Sequence, residues 1–153
     1  MFLALEGFTL PSGYIIKELT VIFDNDNYQH FHFKAPDNFY PTDEEQRTID
    51  YTTNYLNQLY FSDNSLLPYS MINNILKNLS THIIYVAGQS AYRFVKSKIP
   101  FSHVIDICID YKFTYPKFLE KANCFKDHNP RYCSLSKCKY IKNFMINEWA
   151  MTQ

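Results

Sequence analysis

Glycine is nearly missing from this chain, with 3 in 153 residues, and no stretch stays apolar for the roughly 20 residues that a membrane-spanning helix needs. Scarce glycine argues against low-complexity tails and flexible joints, and the absence of a long apolar run argues against a membrane span. Net charge is also absent, because 15 Lys and Arg balance 15 Asp and Glu, so no global field draws the chain to nucleic acid or to an anionic membrane. The opening Met-Phe-Leu-Ala-Leu run is broken by Glu6 and has neither a basic head nor a small-residue cleavage site. It therefore does not read as a signal peptide, and an intracellular location, cytoplasmic or nuclear, is expected. The 4 cysteines do not suggest a secreted disulfide framework, since three crowd between Cys124 and Cys138 beside a histidine. That crowding favours a metal site in a reducing compartment.

Aromatic residues are abundant, with 13 Tyr and 13 Phe, and 46% hydrophobic content is enough to build one real core. Residues 1–153 are expected to form a single domain. The charge is unevenly spread. Met1 to Leu66 carries 3 basic against 10 acidic residues, whereas Lys112 to Lys142 carries 8 basic against 2 acidic. A basic end suits RNA phosphates, although a solvated helix face is the commoner origin of such runs.

Hydrophobic spacing predicts strands over 2–6, 14–23 and 28–34, separated by Ser12-Gly13 and by the turn-forming Asp24-Asn25-Asp26-Asn27. In the third run, Phe31 and Phe33 should face the core. His30 and His32 then fall on the other side, where a two-histidine metal pair is one reading and a half-exposed strand face the commoner one, since no carboxylate or third ligand lies nearby in sequence. Thr42 and Glu45 form a capping box that starts a helix through about Tyr60, and a second helix should run over 69–79. Ile83 to Val86 reads as a covered strand, 89–97 as a helix, and 104–108 as another buried strand. A short helix is expected near 115–122 and a closing helix over 134–149, with Leu135, Cys138, Ile141, Met145 and Trp149 on its inner face.

This order, βββ-αα-β-α-β-αα, resembles that of ribonuclease-H-like exonucleases, which implies an α/β fold with a mixed five-stranded sheet flanked by helices. Such enzymes hold two metal ions with carboxylates, and that chemistry is largely gone here. Ala4 stands where the family has an Asp two residues before Glu6, Arg93 stands where another Asp belongs, and the last motif falls near Cys133 and Cys138. Two-metal exonuclease activity is not expected.

What survives is Cys124, His128 and Cys133, two thiolates and an imidazole within ten residues across a proline-containing loop. Sulfur and nitrogen donors of this kind suit tetrahedral zinc. Three donors leave a fourth position. Glu18, in the otherwise apolar second strand, needs a partner, because burying a lone carboxylate is costly. Cys138 and Glu6 are alternatives for the same position. A Glu on the second strand combined with Cys, His and Cys before the last helix resembles the Maelstrom domain, a ribonuclease-H-like module of small-RNA silencing. The resemblance implies a structural Zn²⁺ on Glu18, Cys124, His128 and Cys133. It also implies single-stranded RNA and silencing-pathway proteins as partners, with metal-independent RNA cleavage as an activity whose catalytic residues are unknown. Lys126, Arg131, Lys137 and Lys139 are the residues expected to hold phosphates. The competing expectation is a catalytically dead nuclease fold that serves as a protein–protein interaction module.

Overall fold

The computed structural model describes residues 1–61, 66–124 and 128–152. Strand β1 (Phe2–Leu10) lies at the centre of a five-stranded sheet, with β2 (Gly13–Ile22) and β3 (Tyr28–His32) on one side. On the other side lie β4 (Ile83–Val86) and β5 (His103–Asp106), giving the order β3-β2-β1-β4-β5. The β1–β2 and β2–β3 pairs are antiparallel, while β1–β4 and β4–β5 are parallel. The chain is thus α/β with a mixed sheet, as expected.

Helices cover both faces. Against one face, α2 (Met71–Asn78) and α3 (Gln89–Lys98) deliver Ile72, Leu76 and Val95 onto Leu3, Leu5, Leu19, Val21 and Ile84. Against the other lies α5 (Ser134–Met151), whose Cys138, Ile141 and Met145 pack on Phe2, Ala4 and Ile22. Trp149 completes this contact, with its ring 5.9 Å from Phe2 and 5.4 Å from Tyr85. A third apolar cluster joins Phe8, Leu10 and Ile15 to Ile49 of α1 (Asp43–Thr52).

The alternation of β2 reverses at one place. Glu6 pairs with Glu18 but Gly7 pairs with Ile16, so Lys17 is an extra residue in a β-bulge. Parity flips there. Ile16 joins Leu19 and Val21 on the α2–α3 face, while Glu18 and Thr20 are free to face α5. Gly7 is required at this point, because a Cβ on it would meet the Ile15 carbonyl oxygen at 2.0 Å.

Several boundaries differ from expectation. The capping box at Thr42 and Glu45 is present, but α1 ends at Thr52 and continues as a π-helical turn over Thr53–Asn57. No helix forms over 115–122. Tyr115 precedes Pro116, which drives it toward extended backbone. A short helix, α4 (Ile107–Asp110), forms earlier instead, where an apolar strand was expected. There the Asp106 side chain accepts from the Cys108 N–H at 3.0 Å and from the Gly88 N–H at 2.9 Å, which caps the turn and ends β5.

Candidate metal centre

The four residues of the expected ligand set converge. Glu18 comes from β2, Cys124 and His128 from the loop before α5, and Cys133 from the residue that caps α5. One ligand atom of each lies within 4.8 Å of every other. Glu6 and Cys138 do not join them. The Glu6 carboxylate pairs with the Lys137 ammonium at 2.9 Å, and the buried Cys138 thiol donates to the Phe2 carbonyl at 3.2 Å. All four cysteines are free thiols.

Glu18 is fully buried, and each of its oxygens has work to do. Oε1 accepts the Ser134 backbone N–H at 2.5 Å, one of the donors that the first turn of a helix leaves without an internal partner. Oε2 faces His32 Nε2 at 3.1 Å and His128 Nε2 at 3.4 Å. Burial alone would raise this acid, but the hydrogen bond and charge of His32, with the charges of His128 and His30, bring it down to about 2.

The imidazole of His128 is held by its far nitrogen. Nδ1 donates to the Asn57 carbonyl at 2.9 Å, which leaves Nε2 directed at Glu18 and, at 3.5 Å, at the Cys124 sulfur. A ring oriented in this way presents a lone pair to a cation, the usual arrangement behind a metal-bound histidine. Asn57 is itself buried, bridging the Gly7 carbonyl and the Leu59 N–H. For His128, burial opposes the charged form, but the hydrogen bond to Cys133 and the charge of Glu18 raise it overall. The Cys133 thiol is lowered strongly, first by its hydrogen bond to Cys124 and, against burial, by that to His128. A thiol that ionises readily at the N-terminus of an 18-residue helix is a ready metal ligand.

Two further residues, which strand alternation assigned first to a half-exposed face, belong to this cluster. His30 is half-buried there, but His32 is buried. His32 is 4% exposed, and strand register sets it directly opposite Glu18, with His30 opposite Thr20. His30 Nδ1 meets Thr20 Oγ1 at 2.5 Å, and that hydroxyl meets Ser134 Oγ at 2.7 Å. His30 Nε2 lies 3.2 Å from the Cys124 sulfur and 2.9 Å from His32 Nε2. Glu18, His30, His32 and Cys124 therefore make a second group of four donors within 4.8 Å. Sequence distance hid it, because Cys124 is 94 residues from His30. The available signal was parity: Glu18, Thr20, His30 and His32 all lie on one face of a β2–β3 hairpin.

The basic residues expected to hold phosphate are dispersed. Lys126 lies outside the described residues. Arg131 lines an open cleft of about 750 Å³ beside the metal loop, together with Lys117, Lys121, Phe118 and Gln58. Lys137 is held by Glu6 and lies over the Tyr115 ring at 5.3 Å, while Lys139 lies over the Tyr28 ring at 5.6 Å. Lys117, Lys121 and the 83%-exposed Phe118 were not singled out in the sequence, where they read as part of a short helix.

Among the described residues, Glu6 joins no group of three or more potential metal donors, Arg93 is exposed, and Asp106 is occupied with its two backbone donors. No helix among them is long and apolar enough to cross a membrane. Searches against protein-family models, curated proteins and solved structures return no match for this chain.

Proposed function

We propose that this chain is a zinc-stabilised domain of ribonuclease-H-like fold that binds single-stranded RNA, in the manner of the Maelstrom domain it resembles. The observation that carries the reading is the convergence of Glu18, Cys124, His128 and Cys133, drawn from a strand, a loop and a helix N-terminus. Two sulfurs, an imidazole nitrogen and a carboxylate oxygen are a donor set for tetrahedral zinc, and four protein ligands close the site to reactive water. Zinc here supplies structure: it ties β2 to the loop and to α5. The strand order β3-β2-β1-β4-β5, with β2 alone running against the others, supports the fold assignment.

The cleft beside the metal loop supports the RNA reading. Lys117, Lys121 and Arg131 offer charge for a backbone, and Phe118 offers a face on which a base stacks. A role in small-RNA silencing, with silencing proteins as partners, follows from the resemblance and from nothing else. The test is fluorescence anisotropy of a labelled single-stranded RNA over a salt series, with zinc measured by mass spectrometry on the same preparation. Binding that weakens steadily as salt rises, and that falls at least tenfold in Lys117→Glu/Arg131→Glu, supports the reading. A zinc-loaded protein with no salt-dependent binding supports the second reading, a protein-interaction module. The fully exposed Phe101 ring beside α3 favours that alternative.

A further inference from the structure

We infer that the cluster holds two metal ions rather than one, the second bound by His30 and His32 through Nε2, with the Cys124 sulfur shared between the two. This inference rests on the zinc reading of the Glu18, Cys124, His128 and Cys133 quartet and goes beyond it. Six donors meet at this place, and one tetrahedral ion uses only four.

Hydrogen counting argues against the two remaining imidazoles being simple supports. Glu18 Oε2, His32 Nε2, His30 Nε2 and the Cys124 sulfur form a chain of close contacts of 3.1, 2.9 and 3.2 Å. Each of these three contacts needs one hydrogen. When Glu18 and Cys124 are ligands of the first ion, both ends of the chain are anions and carry none, and each Nε2 carries at most one. Two hydrogens cannot serve three contacts, so at least one pair of lone pairs, or one pair of N–H groups, is left facing its like. A cation between the two imidazoles and the sulfur removes the conflict, since every atom then presents a lone pair to positive charge.

The donor types agree with a second zinc. Two imidazoles and a thiolate are nitrogen and sulfur donors, the same class as in the first position, and unlike the oxygen-rich cages of magnesium or calcium. The support behind His30 agrees as well. Thr20 accepts or donates at His30 Nδ1 and is itself joined to Ser134, so the ring is steered from behind by the same helix start that steers Glu18. The Glu18 carboxylate has one oxygen committed to Ser134, which leaves Oε2 for the ions. Among the described residues, the donors that belong to the second position alone are His30 and His32.

The test is metal stoichiometry. The full chain is stripped with a chelator, titrated with zinc, and analysed for bound metal after removal of the excess. A parallel titration with cobalt(II) is followed by absorption and electron paramagnetic resonance. Two equivalents in the wild type, falling to one in His30→Gln/His32→Gln and to one in Cys133→Ser, is the expected result. The second cobalt should then diminish the resonance signal of the first, because a shared thiolate couples the two spins. One equivalent, unchanged in the histidine variant, overturns the second position and leaves the zinc reading standing. No bound metal overturns both. If the histidine variant does not fold, the wild-type stoichiometry and the cobalt signal still decide.

Discussion

At the level of single residues, the centre depends on groups that touch no metal. Asn57 orients His128 through its carbonyl, and its buried side chain bridges Gly7 and Leu59. Asn57→Ala leaves two backbone groups without partners and lets the π-helical turn shift. It should cost about 1–3 kcal/mol of stability and weaken zinc affinity roughly 10–100-fold, readable by thermal melting and chelator competition. The carboxylate of Glu18 makes a pH prediction. Its value falls from 4.5 to about 2 on folding, so it stabilises the fold above 4.5, and that contribution is lost as pH falls toward 2. Metal-free wild type should therefore lose about 3 kcal/mol more stability than Glu18→Gln across that window. Equal losses in denaturant titrations at pH 5 and pH 2.5 would sink the assignment. Asn57 was invisible in the sequence, since within the helix expected through about Tyr60 it reads as an ordinary polar position. Glu18 was legible, because a carboxylate in so apolar a strand demands a partner.

The elements themselves were legible wherever local chemistry and tertiary packing agree. The capping box of Thr42 and Glu45, the covered strand Ile83–Val86 and the apolar stripe of α5 all appear where spacing placed them. They fail where one side chain overrides a run. Asp106 caps a helical turn inside Ile105-Asp106-Ile107-Cys108, which otherwise reads as strand. The cover over the histidines was missed for a different reason. Strand alternation correctly put them opposite the phenylalanines, but no local pattern tells that a loop 90-odd residues onward covers that face. The β-bulge is the element on which the whole centre turns, since it alone sends Glu18 and Ile16 to opposite faces. Gly7→Ala drives a methyl group into the Ile15 carbonyl and the Ile16 backbone, neither of which is a movable side-chain tip. A loss of about 3 kcal/mol or more is expected, at the upper end of overpacking penalties. Zinc binding should fall with it, and a Gly7→Ala protein of wild-type melting temperature would show that the bulge is not needed.

Across the whole molecule, the sheet divides two cores that differ in how they are held. The α2–α3 side is closed by apolar packing, with Leu3, Ile16, Leu19, Phe33, Ile72, Leu76 and Ile84 buried together. The α5 side combines its apolar cluster with polar anchors: Glu6 with Lys137, Asp26 with Lys142, and the candidate metal centre at the helix start. Metal removal should therefore act on one side more than on the other. Free zinc at 1,000 times its dissociation constant adds about 4 kcal/mol to stability. For a chain of this length that corresponds to a fall in Tm of roughly 8–16 °C on chelation. Hydrogen exchange distinguishes this from general loosening. Chelation should expose the amides of residues 121–124, 128–136 and β3, which the proposed ions would hold together, while α3 and β4 keep their protection until global unfolding. Uniform loss of protection over both faces would mean that the metal stabilises the domain as a whole and that the two cores do not unfold independently.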